Sequence, residues 1–165
     1  MSGFPILSLM LLVPLAAALA CLYLDAKSAR TVALLATLAN LALGVVLWLN
    51  FDVGGAQWQF QERHELFSGF SYALGIDGIA LLLIELSVFL MPICIGASWN
   101  SIEKRVGEYM AAFLLVETLM IGVFAAQDIF LFYMFFEAGL IPMYLIIGIW
   151  GGADRIYASY KFFLY

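Results

Sequence analysis

Apolar runs long enough to cross a bilayer, separated by short polar breaks, make up most of this chain. A membrane-spanning helix uses about 20 residues. The first run covers residues 3–24. No basic flank precedes it and no small-residue cleavage pattern follows, so it reads as a transmembrane helix containing Pro14, not as a signal peptide. The break DAKSAR (25–30) leads into a second span, 31–50, with Trp48 near its end as an interfacial aromatic. Further spans are predicted at 77–99, 108–126 and 129–150, with Pro92 and Pro142 as helix kinks in the third and the fifth. The longest polar stretch is 51–76. There Gly54-Gly55 signals a turn, and Trp58 and Phe60 alternate with Gln57, Gln59 and Gln61. That period of two predicts a short strand in a small cap on one membrane face. GGADRIYASY reads as a loop, and a sixth apolar run begins at about 158. The chain stops inside that run, so it reads as the truncated first part of a larger subunit. The expected fold class is an all-α membrane protein: one multipass bundle over 1–165, with about five transmembrane helices and the start of a sixth.

Composition sharpens this picture. Hydrophobic residues make up 65% and charged residues 12%, against about 25% charged in soluble domains. A soluble enzyme, a disordered chain and a disulfide scaffold are excluded. Seven basic against twelve acidic residues leave a net charge of −5, the wrong sign for a nucleic-acid partner. The partner implied is the lipid bilayer. Cys21 and Cys94 match no metal or redox spacing and read as small packed residues.

Charge placement sets an orientation. Lys27, Arg30, Lys104, Arg105, Arg155 and Lys161 fall on the odd-numbered breaks or next to them, and Arg63 alone lies on an even one. The positive-inside rule puts the odd loops in the cytoplasm, with the N-terminus and the 51–76 loop outside. His64, the single histidine, then reads as a solvated loop residue.

Three carboxylates stand inside apolar spans. Glu85 follows Asp77 by eight residues, Glu117 follows Glu108 by nine, and Glu137 follows Asp128 by nine. At about 1.5 Å per residue each lies roughly 12–14 Å deep, near the middle of a core about 30 Å thick. A charge there costs about 2.5–3.5 kcal/mol on insertion scales. Two readings stand: a neutral glutamate hydrogen-bonded to a neighbouring helix, or a proton-handling group whose partner changes. Glu137 has the richest surroundings for the second. Pro142 cannot donate to the Ala138 carbonyl, and Ala138 and Gly139 leave room for another helix or water. No phosphate loop, haem histidine pair, iron–sulfur cysteine cluster or nucleophile–base constellation is present. Redox chemistry associated with the chain is therefore expected in partners.

Three stretches carry a family resemblance: GIDGIALLL (75–83), FFEAGLIPMYLIIGIWGG (135–152) and YASYKFFLY (157–165). From Gly75 to Tyr165 the chain resembles the membrane-arm subunit family called chain 4, or chain M, of respiratory NADH:quinone oxidoreductase (complex I). The first two helices match by hydrophobic layout. The resemblance implies an antiporter-like, non-redox subunit that contributes to proton translocation coupled to quinone reduction, with no catalytic centre of its own. Family members have about fourteen helices in two inverted repeats. Glu137 matches the family glutamate of the fifth helix, which pairs with a lysine on a broken seventh helix. Lys161 matches a basic residue at the start of the sixth helix; as a residue in its own right it reads first as a snorkelling anchor and second as part of a polar path. No cofactor is expected in this chain. NADH, FMN, iron–sulfur clusters and quinone belong to partner subunits, and other membrane-arm subunits are the expected neighbours. The implied location is a bacterial inner membrane or the mitochondrial inner membrane, with the N-terminus on the periplasmic or intermembrane side. The alternatives are a subunit of a cation/proton antiporter or membrane-bound hydrogenase of the same superfamily, and a purely structural membrane scaffold.

Overall fold

Three helices in this chain start at a capping aspartate. The computed structural model describes residues 6–51, 54–55, 59–67, 70–100 and 105–164. In chain order the elements are α1 (Ile6–Cys21), α2 (Ala26–Asn50), β1 (Gln59–Phe67), β2 (Phe70–Ile76), α3 (Gly78–Ala97), α4 (Val106–Ala125), α5 (Ile129–Ala138), α6 (Leu140–Trp150) and α7 (Arg155–Leu164). Asp25 accepts from the Ser28 N–H at 3.1 Å, so α2 starts at Ala26, five residues before the sequence reading placed it. Asp77 caps α3 through the Ala80 N–H at 2.9 Å, and Asp128 caps α5 through Phe130 and Leu131 at 2.8 and 3.2 Å.

The helices Ala26–Asn50, Gly78–Ala97, Val106–Ala125 and Ile129–Trp150 are long and apolar enough to span a bilayer. α1, at 16 residues, is apolar but shorter. α4 packs against α1, α2, α3, α5 and α6, which makes it the axis of the bundle. Gly107 permits its closest approach: a Cβ there would lie 2.5 Å from the Cys21 carbonyl oxygen of α1.

α3 runs unbroken through Pro92, so only Pro142 of the two expected kinks coincides with an interruption. The fifth span is divided between α5 and α6 at Gly139, which keeps helical dihedrals (φ −63°, ψ −22°). The interruption is therefore a lost hydrogen bond: Pro142 has no N–H for the Ala138 carbonyl. The expected loop before the sixth run is also shorter than read, since helix begins at Arg155.

Within the 51–76 stretch β1 and β2 pair as an antiparallel hairpin, with Arg63 opposite Ala73 and His64 opposite Tyr72. The expected strand is shorter, over the alternation from Gln57 to Gln61, and Gln57 and Trp58 lie outside the described residues. Phe60 takes a left-handed φ of 58° where the register shifts between Gln59 and Glu62. The Gln127 N–H donates to the Ala73 carbonyl at 2.9 Å, and Leu74 bridges Ala126. Tyr72 also meets Ser8 of α1 at 2.8 Å between hydroxyls. The hairpin, the start of α1 and the α4–α5 turn thus share one face. At the other end Tyr109 donates to Ser98 Oγ at 2.8 Å, and Trp150 packs edge-on to Tyr109.

The interior is two apolar clusters separated by a polar girdle. One cluster, near the hairpin, includes Leu7, Met10, Leu47, Ile84 and Ile121. The other includes Ala33, Ile95, Met110 and Leu114. Along α2 and α4 the boundary falls at Thr37, Asn40, Glu117 and Thr118, all buried.

Candidate functional site: the mid-membrane carboxylates

The three intramembrane glutamates share a depth but not a neighbourhood. Counted from the hairpin-side end of each helix, Glu85 is seven residues from Gly78, Glu117 eight from Ala125 and Glu137 eight from Ile129. At 1.5 Å per residue all three lie roughly 11–12 Å in. Their lateral surroundings differ sharply. Glu117 is fully buried, Glu85 is half-buried and Glu137 is exposed on the bundle surface.

Glu117 sits on the inward face of α4. Its Oε1 accepts from Asn40 Nδ2 of α2 at 2.8 Å, while its Oε2 has no hydrogen-bond partner among the described residues. Asn40 Oδ1 is buried and equally without one. The neighbouring Thr118 hydroxyl is directed at the carbonyls of Leu11 and Leu114, at 3.3 and 3.2 Å. The Thr37 and Ser87 hydroxyls donate to the backbone of Leu34 and Leu83. The girdle hydroxyls are thus spent on their surroundings, and Asn40 is the side chain given to Glu117.

Glu85 leans from α3 onto α2 at Gly44, one helical turn beyond Asn40. A Cβ on Gly44 would stand 3.2 Å from Glu85 Oε2, so the glycine makes the seat for that carboxylate. Glu85 Oε1 is buried with no hydrogen-bond partner among the described residues.

Glu137 lies on α5 just before the Gly139 interruption. Its neighbour Phe136 is also exposed, so this strip of span five faces away from α1–α4. Lys161 lies on the exposed face of α7, with Nζ 5.5 Å from the centre of the Tyr157 ring. The structure brings Lys161 and the three glutamates into no common cluster. Among the described residues no group of three His, Cys, Asp or Glu side chains could hold a metal ion. Cys21 is buried with its thiol toward the Ala29 carbonyl, and Cys94 is half-buried.

Asn40 was absent from the sequence reading. Its signal was available: a carboxamide in the run TVALLATLANLALG carries an insertion penalty of its own. A search restricted to charged residues passes over it.

Two family profiles tile the chain. "NADH-ubiquinone oxidoreductase chain 4, amino terminus" matches residues 6–127, and "NADH:quinone oxidoreductase/Mrp antiporter, TM" matches 126–165. Among curated proteins, NADH-quinone oxidoreductase subunit M of Rhodobacter capsulatus is 53% identical over 139 residues, covering 84% of this chain and 27% of the relative. NADH-ubiquinone oxidoreductase chain 4 of Prototheca wickerhamii is 41% identical, covering 96% and 34%. A chain of respiratory complex I from Thermus thermophilus with bound NADH superposes with a TM-score of 0.76 at 30% identity, over 96% of this chain and 32% of that one. The chain thus spans about a third of the length of the relatives it matches.

Proposed function

The chain belongs to the family of NADH-ubiquinone oxidoreductase chain 4, and from that premise we infer that it forms the first part of an antiporter-like membrane subunit contributing to proton translocation coupled to quinone reduction. The observation that carries the inference is the joint between the two profiles, at residues 126–127, where span five begins. One segment of the chain is specific to chain 4, and the other is shared with antiporters. The antiporter alternative draws support from 126–165 alone, whereas 6–127 favours the oxidoreductase. Electron transfer, with its NADH, FMN, iron–sulfur and quinone chemistry, is assigned to partner subunits of the complex. This chain supplies a low-dielectric frame and carboxylates at one depth.

Glu137 is the leading proton-handling residue, ahead of Glu117 and Glu85. Its exposure leaves it accessible to a cationic side chain on an adjoining helix, as the family resemblance implies. A nearby cation offsets the cost of an ionised carboxylate at mid-depth, and loss of that cation favours protonation. Changing one partner therefore changes the proton affinity of the other. Glu137→Gln keeps the shape and removes the titration. In the assembled complex it should lower pumping by about tenfold or more, the loss expected when a group essential to one step is removed. Pumping at the parent rate by correctly assembled Glu137→Gln complex would falsify the assignment.

For orientation, the six-to-one basic asymmetry supports a cytoplasmic face at Arg105 and Arg155 and an outer face at the hairpin. With Cys21 and Cys94 replaced, an impermeant thiol reagent on intact cells should label Gly55→Cys and spare Asp154→Cys. The opposite labelling inverts the topology.

A further inference from the structure

We propose that Asn40 is the positioning residue for Glu117, forming with it an acid–carboxamide pair that holds the carboxyl in one orientation in both its protonated and ionised forms. The two side chains come from separate helices, 77 positions apart in sequence, and neither has any exposed surface. One hydrogen bond joins them, from Asn40 Nδ2 to Glu117 Oε1 at 2.8 Å. The two atoms left over are complementary. Asn40 Oδ1 can only accept, and Glu117 Oε2 becomes a donor when it carries a proton.

An ionised Glu117 keeps the amide N–H bond on Oε1. A proton arriving on Oε2 makes an O–H group that donates to Asn40 Oδ1, closing a ring of two hydrogen bonds. The proton leaves from the same oxygen, the ring reopens, and no electron moves. An apolar residue at position 40 serves neither form, and a hydroxyl there lacks the span for two bonds. Buried polar atoms without partners are costly, and in this pair one proton satisfies both leftover oxygens. Thr118 and Thr37 do not compete, because their hydroxyls bond backbone carbonyls. The consequence for transport rests on the proton-handling reading above; the pairing itself does not.

The test uses the assembled complex, with Glu117 read by infrared difference spectroscopy against Glu117→Gln. Asn40→Leu should shift the Glu117 carbonyl band to the frequency of a weakly bonded acid and lower pumping by about fivefold, the factor carried by one hydrogen bond. Glu117→Gln should assemble normally, because Gln and Asn can form the same two-bond ring, while losing the carboxyl band. The decisive variant is the isosteric exchange, Asn40→Asp with Glu117→Gln, which places the acid on α2 and the amide on α4. It should restore a hydrogen-bonded carboxyl band and recover pumping above Glu117→Gln alone. An unmoved band in Asn40→Leu overturns the proposal, as does an exchanged pair no better than Glu117→Gln. If Asn40→Leu fails to assemble, the exchanged pair alone decides. Failure of the Glu137 test would leave the infrared result standing, so the two readings fall separately.

Discussion

α4 and the fifth span have similar length and apolarity, yet their environments are opposites. Half of the α4 membrane window, 50%, is buried against other helices, whereas for Ile129–Trp150 the figure is 11%. The glutamate on α4 is enclosed and held by an amide from α2; the glutamate on the fifth span is exposed. Hydropathy cannot tell these helices apart, because lipid and a neighbouring helix are about equally apolar. What separates them is the placement of small and polar residues. α4 presents Gly107 toward α1 and Glu117 toward α2, while span five presents Phe132 and Phe136, stacked with ring centres 6.1 Å apart, on an exposed strip.

The largest expected effect comes from truncating a fully buried α4 side chain. Leu114→Ala should cost about 2 kcal/mol, the low end for a core leucine, because lipid already solvates apolar groups and only the packing loss remains. Phe136→Ala should cost under about 0.5 kcal/mol if lipid alone covers it. Thermal inactivation of the assembled complex measures both. A Phe136→Ala penalty as large as that of Leu114→Ala breaks the comparison and shows a protein neighbour on span five.

Next in size is the close approach at Gly107. Gly107→Ala drives a methyl against the Cys21 carbonyl and should cost about 1 kcal/mol, the low end for overpacking. Gly78→Ala, whose Cβ would meet nothing within 4 Å, is the matched control and should leave stability unchanged. Equal melting of the two variants would remove Gly107 from the account of why α4 is the axis.

The smallest effect belongs to the cap of α2. The Ser28 side chain and N–H at Asp25 hold its carboxyl below the usual carboxylate value. A lowered folded-state value means the stabilisation is present above the ordinary aspartate range and is lost as pH falls through the lowered value. Amide protection in the first turn of α2, exchange taken relative to the unstructured rate at each pH, should fall over that acidic window in the parent and be lower and without that step in Asp25→Ala. A parent profile without the acidic step would take the cap out of the picture.

Span number and order were legible because about 20 consecutive apolar residues have few other uses. Boundaries were less so. Ala26–Arg30 reads as loop from its charges, yet one capping bond from Asp25 makes it helix. Arg155–Tyr160 likewise reads as polar, but Ser159 is buried, the space where a Gly148 Cβ would lie is 3.3 Å from its hydroxyl, and the segment is amphipathic helix. The second strand, Phe70–Ile76, was hidden because its apolar sequence runs straight into α3. Counting along a rigid rise per residue places the glutamates at similar distances from the hairpin-side ends of their helices. Their lateral company depends on which helix face meets α2, a face marked by Thr37, Asn40 and Gly44 and by no charge.

The strap between β2 and the α4–α5 turn also leaves the two ends of span five with different attachments. Its hairpin-side end is moored through Gln127 to Ala73. Its far half packs instead on α7, through Tyr144 set edge-on to Tyr160 and tilted against Phe163, with ring centres 5.8 and 5.2 Å apart. Between the two attachments lies Gly139, where helix α5 ends and α6 begins beside Pro142. Glu137 stands on the hairpin side of that break, so its carboxylate shares the attachment of the cap and not that of α7.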